Sequence, residues 1–452
     1  MASPNREGGL FMESARMRWC TLLFLGFSVA GGPMAAVAKP ITVRPGQSIQ
    51  AAVAAAESGD TVMVLPGDYY ETPSQVELDK SWGQTRCAAV LIHQAITLKA
   101  SGRVRIIMPT SAVSPQCINQ DSSYVLDGIV VEGTAGQVLE GVEIKGFTVQ
   151  GFTNNGIKLR YVKHFNVEGN VSADNLENGI WPTLSANGQV KNNVAYGSLD
   201  SALWVEASQN VRVIDNELAT SPTGIEVTLS KDVVIENNNV HDNTVGIGLY
   251  HPAAAGLPQQ DWPPAPYGNW QVASNHVHDN NMVNPVQGEG EVAQLPPGLG
   301  ILILGVAHVD VQKNWVEKNS FVGVALLDWC VAAAPDCAQS GVPTGFEDTA
   351  LHNVCVVANK FADNHTATSF PDNVPPDLQA LKSDIMYVDG IVAGLPSGTD
   401  NCQSDNKLIK TPHPNNPGVL IYTVPPPSEI GVDLFPACKK GQCGDGRHSV
   451  CN

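Results

Sequence analysis

From about residue 138 to 365, short apolar stretches alternate with polar turns on a fixed period. One unit reads small residue, Ile, any residue, hydrophobic residue, then a loop, then Val-x-x-Asn-x-hydrophobic and a polar turn. The first element recurs as Gly156-Ile157-Lys158-Leu159, Gly179-Ile180, Ala202-Leu203-Trp204-Val205, Gly224-Ile225-Glu226-Val227, Gly246-Ile247-Gly248-Leu249, Gly300-Ile301-Leu302-Ile303 and Gly323-Val324-Ala325-Leu326. The second carries Asn at positions 170, 193, 216, 238, 275, 314 and 359. Five residues beyond each comes another column: Asn175, Ser198, Ser221, Asn243, Asn280, Asn319 and Asn364. Strand-length alternation on so short a period predicts a coil that climbs one strand spacing, about 4.8 Å, per repeat. No single coil buries its apolar face, so the coils must stack into one core. Asn side chains recurring at one turn would then hydrogen-bond up the stack.

The repeats resemble the right-handed parallel β-helix of the pectin-lyase-like superfamily. That resemblance implies an all-β, single-stranded solenoid with 22 or 23 residues per coil where no insertion intervenes. The opening stretch, Ile41 to Glu57, reads as a strand, a Ser48 N-cap and a short amphipathic helix, with Thr61 to Leu65 as the next strand. It looks like the N-terminal capping helix of the superfamily. The expected organisation is a signal peptide over residues 1–38, a β-helix over 39–370 and a Pro/Cys-rich tail over 371–452, packed on the end of the coil.

Composition narrows the functional classes. Charged residues make up 15% of 452 and the net charge is -18, which argues against binding nucleic acid, because neutralising phosphate needs a basic face. Arg16 and Arg18 precede an apolar run from Trp19 to Val29, and Ala36-Val37-Ala38 offers a cleavage site before Lys39. The run is short for a membrane span and is followed by Gly31, Gly32 and Pro33, so a secreted or periplasmic protein with no transmembrane segment after cleavage is expected. Nine cysteines then remain, at 87, 117, 330, 337, 355, 402, 438, 443 and 451. After export they favour disulfides, with Cys330 and Cys337 closing a short loop and one thiol left over. No Cys-x-x-Cys spacing points to zinc.

Candidate chemistry lies on the strand that begins each unit. The longest insertions follow Leu249 and Leu326 and precede Leu299, on both flanks of that strand. Loops there would wall a groove. Its outward positions read Lys158, Trp181, Trp204, Glu226, Gly248, Leu302, Ala325 in one column. The second reads Arg160, Thr183, Glu206, Thr228, Tyr250, Leu304, Leu327. Exposed Trp181 and Trp204, with Tyr250 and His251, would suit the apolar faces of sugar rings. A lyase or C5-epimerase acting on a uronate needs a cation for the sugar carboxylate and groups that move protons. Lys158 and Arg160 supply the cations, and Glu206 and Glu226 the carboxylates. Asp200, Glu206 and Glu226 could instead bind Ca²⁺, the common neutraliser in the families this resembles. Glu206 and Glu226 lie diagonally on adjacent coils, roughly 8 Å apart, which also admits an inverting glycosidase pair.

Known motifs set limits. The Asp-Pro-His-Asp of mannuronan epimerases, the signature residues of polygalacturonases and the Asp-His signature of pectate lyases are missing. Val240-His241-Asp242-Asn243 and Val277-His278-Asp279-Asn280, with His276, offer metal-ligand chemistry. Asp-Asn at 174–175 and 363–364 makes them read first as repeated turns. The expectation is an exported, monomeric β-helix that binds or processes an extracellular, uronate-containing polysaccharide. The competing class is a non-catalytic glycan- or partner-binding scaffold, and a periplasmic maturation factor of the copper-reductase accessory type shares such repeats.

Overall fold

The computed structural model describes residues 40–80, 83–110, 113–255, 263–288, 291–332, 337, 345–368, 382–390, 397–409, 419–422, 435–439 and 442–443. The segment read as a signal peptide lies outside them, as does Cys451. One coil shows how the sequence dictates the geometry. Strand Ser201–Glu206 ends at Ala207, which turns the chain with φ +42°. Strand Gln209–Ile214 follows and ends at Asp215, φ +56°, and strand Glu217–Ala219 ends at Thr220, φ +49°. The next coil begins at Thr223. Within each strand every second side chain points inward, so Leu203, Val205, Val211, Val213 and Leu218 are wholly buried. Pairing between coils is parallel: Leu203 lies against Ile225, Val213 against Ile235 and Leu218 against Val240.

The strand that opens each unit builds a sheet that runs, among the described residues, through twelve strands from Gln75–Val76 to Val419–Tyr422. The other two strands of each coil form the remaining walls. The small residue at the head of each unit is imposed by this stacking. A Cβ at Gly224 would lie 2.6 Å from the Gly246 carbonyl oxygen, and one at Gly246 would lie 2.5 Å from that of Gly300.

The N-terminal helix spans Ile49–Ala54. The Ser48 side chain accepts from Ala51 N at 3.0 Å, and Glu71 accepts from the Ile49 amide, so the first turn is doubly capped. Ile49 and Val53 bury into the core beside Val43, Val62 and Ile92. At the far end the coiling continues beyond residue 370. Ser383–Val388 pairs with Val322–Leu327, and Cys402–Ser404 and Lys407–Ile409 extend the other walls. In the sequence, Pro371, Pro375 and Pro376 interrupt the repeat pattern before this unit, so no spacing of ordinary length pointed to it.

The first expected polar column forms a ladder; the second does so from Ser198 onward, with no hydrogen bond joining Asn175 to Ser198. Asn193 illustrates the bonding. Its Nδ2 donates to Val167 O and to Asn216 Oδ1, both at 3.0 Å, while its Oδ1 accepts from Asn170 N at 2.9 Å and from Asn170 Nδ2 at 3.1 Å. The pattern runs on to Asn406. Asn193→Ala removes all four bonds and strands buried partners, so a loss of about 2–3 kcal/mol in a urea titration is expected. Asn193→Asp should cost at least as much, because it sets a buried carboxylate oxygen against Val167 O and Asn216 Oδ1, where Nδ2 donated.

Candidate functional site

The register of the opening-strand sheet aligns the columns as expected. Lys158 lies beside Trp181, Trp204 beside Glu226, Arg160 beside Thr183 and Thr183 beside Glu206. Glu206 and Glu226 are therefore diagonal on neighbouring strands. The columns point outward but are not open to solvent. Strands Ser201–Glu206, Thr223–Thr228, Val245–Tyr250, Leu299–Leu304 and Val322–Leu327 are buried at every position.

Three coverings explain this. Toward the C-terminal end, Tyr250, Leu302, Leu304, Ala325 and Leu327 pack beneath Trp329 and Cys330. In the middle, Trp181 and Trp204 stack with ring centroids 5.3 Å apart under Phe346 and Tyr267. They are 4% and 7% exposed, where open platforms were expected. Among the described residues of the insertions, Tyr267, Trp329, Cys330 and Phe346 pack onto the sheet face. A row of Leu and Ala on an outer face would otherwise be a large apolar patch in water, so covering it is favourable. His251 fastens this roof. It is neutral, pushed down to about 4 by burial; its Nε2 donates to Asp348 O at 3.0 Å and its Nδ1 accepts from Ala253 N at 3.3 Å. Tyr250 is buried too, with its hydroxyl 3.3 Å from Thr223 Oγ1.

The third covering is charged. The segment after strand Gln75–Val76 lays Glu77 and Asp79 over Lys158, whose Nζ donates to Glu77 Oε2 at 3.0 Å and to Asp79 Oδ2 at 2.5 Å. Lys158 is 0% exposed. Glu132 holds the segment by accepting from Leu78 N and Asp79 N at 2.6 and 2.8 Å. Burial pulls the Lys158 ammonium down, but the fields of Glu77, Asp127 and Asp79 more than reverse this and leave its pKa raised. A deprotonated Lys158 base is thus opposed by its surroundings. Arg160 is the more accessible cation, with its side chain 20% exposed and its guanidinium 3.7 Å from Glu132 and 3.9 Å from Asp79.

Beside this cluster lies a rim of acids. Glu177 is exposed and Asp200 partly so. Each precedes a sheet strand, and Asp200 N donates to Glu177 O at 3.2 Å. Burial, followed by the Glu177 charge, pushes Asp200 up to about 8, with Asn178 opposing. Glu206 rises to about 7, chiefly through burial, with Thr183 and Trp181 as opposing donors; Thr183 Oγ1 donates to its Oε2 at 2.7 Å. Glu226 accepts from Ser201 Oγ at 2.6 Å. Ser201 ends a buried ladder that starts at Asp127 and passes through Asn155 and Asn178.

Among the described residues, Asp200, Glu206 and Glu226 do not gather their carboxylate oxygens within 4.8 Å of one another. Calcium therefore finds no preassembled cage there. The histidines at the repeated turns stack instead, 5.1 Å between the His241 and His278 rings and 4.0 Å between His276 and His278. Asp242 and Asp279 each bond the preceding imidazole at 2.8 Å. Glu77, Asp79, Asp127, Glu132 and Glu177 were not singled out from the sequence. All but Glu177 precede the clear repeats, where no register was readable. Glu177 sits one residue before a ladder Asn, a position shared with Asp200 in the next coil.

Comparison with known proteins follows the same line. The family model described as a right handed beta helix region matches residues 127–261. No curated protein matches. Among solved structures, the A-module of mannuronan C-5 epimerase AlgE4 from Azotobacter vinelandii aligns with a TM-score of 0.50 at 13% identity, over 83% of this chain and 94% of that one. DFA-IIIase from Arthrobacter chlorophenolicus A6 aligns with a TM-score of 0.46 at 14% identity, over 89% of this chain and 85% of that one. The Dettilon tailspike protein aligns with a TM-score of 0.47 at 14% identity, over 85% of this chain and 60% of that one. With its climbing parallel strands, its polar ladders and this match, the chain is a right-handed parallel β-helix repeat protein.

Proposed function

We propose that the protein is exported and processes a uronate-containing polysaccharide at the rim formed by Arg160, Glu177, Asp200, Glu206 and Glu226, by lyase or epimerase chemistry. The observation that carries this reading is the sheet register, which sets Glu206 level with Arg160 two strands away and Glu226 diagonal to Glu206, with Asp200 at the head of the same strand as Glu206; burial lifts Glu206 to about 7 and Asp200 to about 8. Groups titrating near neutrality both take and give protons efficiently. Arg160 would pair with the sugar carboxylate and stabilise the charge that moves into it when the adjacent C–H proton leaves. Asp200, partly exposed, would be the solvent-reachable proton carrier, and Glu206 a second acid on the same strand. The carbon then regains a proton, which inverts it, or expels the neighbouring glycosidic oxygen, which takes the proton and cleaves the chain. Lys158 acts at one remove, by fixing Glu77 and Asp79. The epimerase of similar fold makes polyuronates the first substrates to test. Disulfides Cys87–Cys117 and Cys330–Cys337 support an oxidising compartment.

The roofed tryptophans favour a second reading, a non-catalytic binding scaffold, because they leave little open aromatic surface. Incubation with a panel of polyuronates in heavy water, with and without Ca²⁺, separates the two. Deuterium entering the sugar at C5, or ultraviolet absorbance from unsaturated product, is expected, and Asp200→Asn and Arg160→Ala should abolish either signal while the strand content stays intact. Neither signal on any substrate would overturn the catalytic reading.

A further inference from the structure

Cys355 and Cys402 are register partners on successive coils, both buried, and residues 435–439 and 442–443 bring Cys438 and Cys443 against them. The structure pairs them as Cys355–Cys443 and Cys402–Cys438. The two pairs are not separate. All four sulfurs lie within 4.8 Å of one another, and sulfurs from different pairs approach to 3.6 Å (355 to 402), 3.4 Å (402 to 443) and 3.2 Å (438 to 443). A tetrahedral zinc with thiolate bonds of about 2.3 Å has sulfur–sulfur edges of about 3.8 Å. Four residues separate Cys438 from Cys443, inside the usual ligand spacing. The other two ligands come from successive coils, so a search for Cys-x-x-Cys does not see them.

The surroundings hold the sulfurs together without help from the S–S bonds. Gln403 N donates to Pro436 O at 2.9 Å and Cys438 N to Gln403 O at 3.3 Å. Gln442 Nε2 donates to Asp400 O at 3.1 Å, and Phe435 stacks on Tyr387 at 5.1 Å. We propose that reduction converts the two disulfides into one four-cysteine site for a tetrahedral divalent metal, zinc by preference. A phosphine reduces each disulfide by giving two electrons. It leaves as its oxide with the oxygen of one water, whose two protons complete the two thiols. Metal binding then releases four thiol protons.

The test uses the full chain, reduced with a phosphine and freed of it anaerobically, and titrated with cobalt(II). One equivalent is expected to give the strong visible bands of tetrahedral thiolate cobalt, and zinc should displace it. The oxidised chain should give none. Cys402→Ser and Cys438→Ser should each weaken cobalt binding by more than the roughly 10–100-fold that loss of a supporting partner costs. The Cys330→Ser/Cys337→Ser double variant should bind like the unaltered chain. Absence of the bands while far-ultraviolet dichroism keeps its strand signal overturns the proposal, as do bands that survive Cys402→Ser. Loss of the strand signal on reduction overturns it as well, since the disulfides would then be what holds the sulfurs together.

Discussion

Lys158→Met should destabilise the protein by about 3–5 kcal/mol, because it leaves Glu77 buried without its cation and Asp79 with the Arg160 guanidinium 3.9 Å away. Methionine nearly matches the lysine stem, so packing loss contributes little and the effect is electrostatic. Burial first, then Asp127, already holds the Glu77 pKa well above the ordinary carboxylate range, with Lys158 the opposing influence. Without Lys158, Glu77 or Asp79 must take up a proton to stay inside. The penalty should therefore be larger at pH 8 than at pH 5, where protonation is easier. A triple variant, Lys158→Met with Glu77→Gln and Asp79→Asn, should recover most of the loss, since a neutral hydrogen-bonding group replaces a charged one. Urea midpoints for the three proteins at both pH values check this. A single-variant cost below about 1 kcal/mol, or no recovery in the triple, would mean that Glu77 and Asp79 reach water. The result also bears on catalysis, because activity lost in Lys158→Met should follow the folded fraction.

How far the sequence carried can be judged from particular residues. The coils, their register and the Asn ladders were legible because each is a repeated local event. An apolar residue every second position, Asn at one turn and a small residue at each strand head carry the same meaning in every unit. The outward columns were also legible as columns. What failed was their environment. Leu302, Leu304, Ala325 and Leu327 sat in those columns, and their apolar character was the signal that something must cover them. Trp181 and Trp204 belonged to the same argument. The identity of the cover was not readable, because Phe346, Trp329 and Tyr267 lie in insertions with no period to place them. Glu77 and Asp79 reach Lys158 across about 80 residues, and only the fold brings them together.

Asp200 and Glu206 make the second expectation, a fall in stability as pH rises toward 8. An ordinary Asp or Glu in the unfolded chain releases its proton near pH 4. In the fold, Glu206 keeps its proton up to about 7 and Asp200 up to about 8. Between those limits the native state binds more protons than the unfolded one, so stability drops with pH. The slope is at most about 1.4 kcal/mol per pH unit for each group, and it ends once the folded form has also ionised. His251 works in the opposite sense. Its folded pKa is about 4, so its contribution is lost as pH falls from the ordinary imidazole value toward 4 and is constant above pH 7. Melting temperatures between pH 7 and 8.5 therefore isolate the acids. The unaltered protein should lose about 1–2 °C between pH 7 and 8 and then level off. Asp200→Asn should melt higher at pH 8 and flatten the curve, and Glu206→Gln should do so mainly below pH 7. A profile that is already flat from pH 6 to 8, unchanged by Asp200→Asn, would show both acids ionised in the fold. The proton-carrying roles assigned to them would then fall, leaving Arg160 and the covered tryptophans as parts of a binding surface.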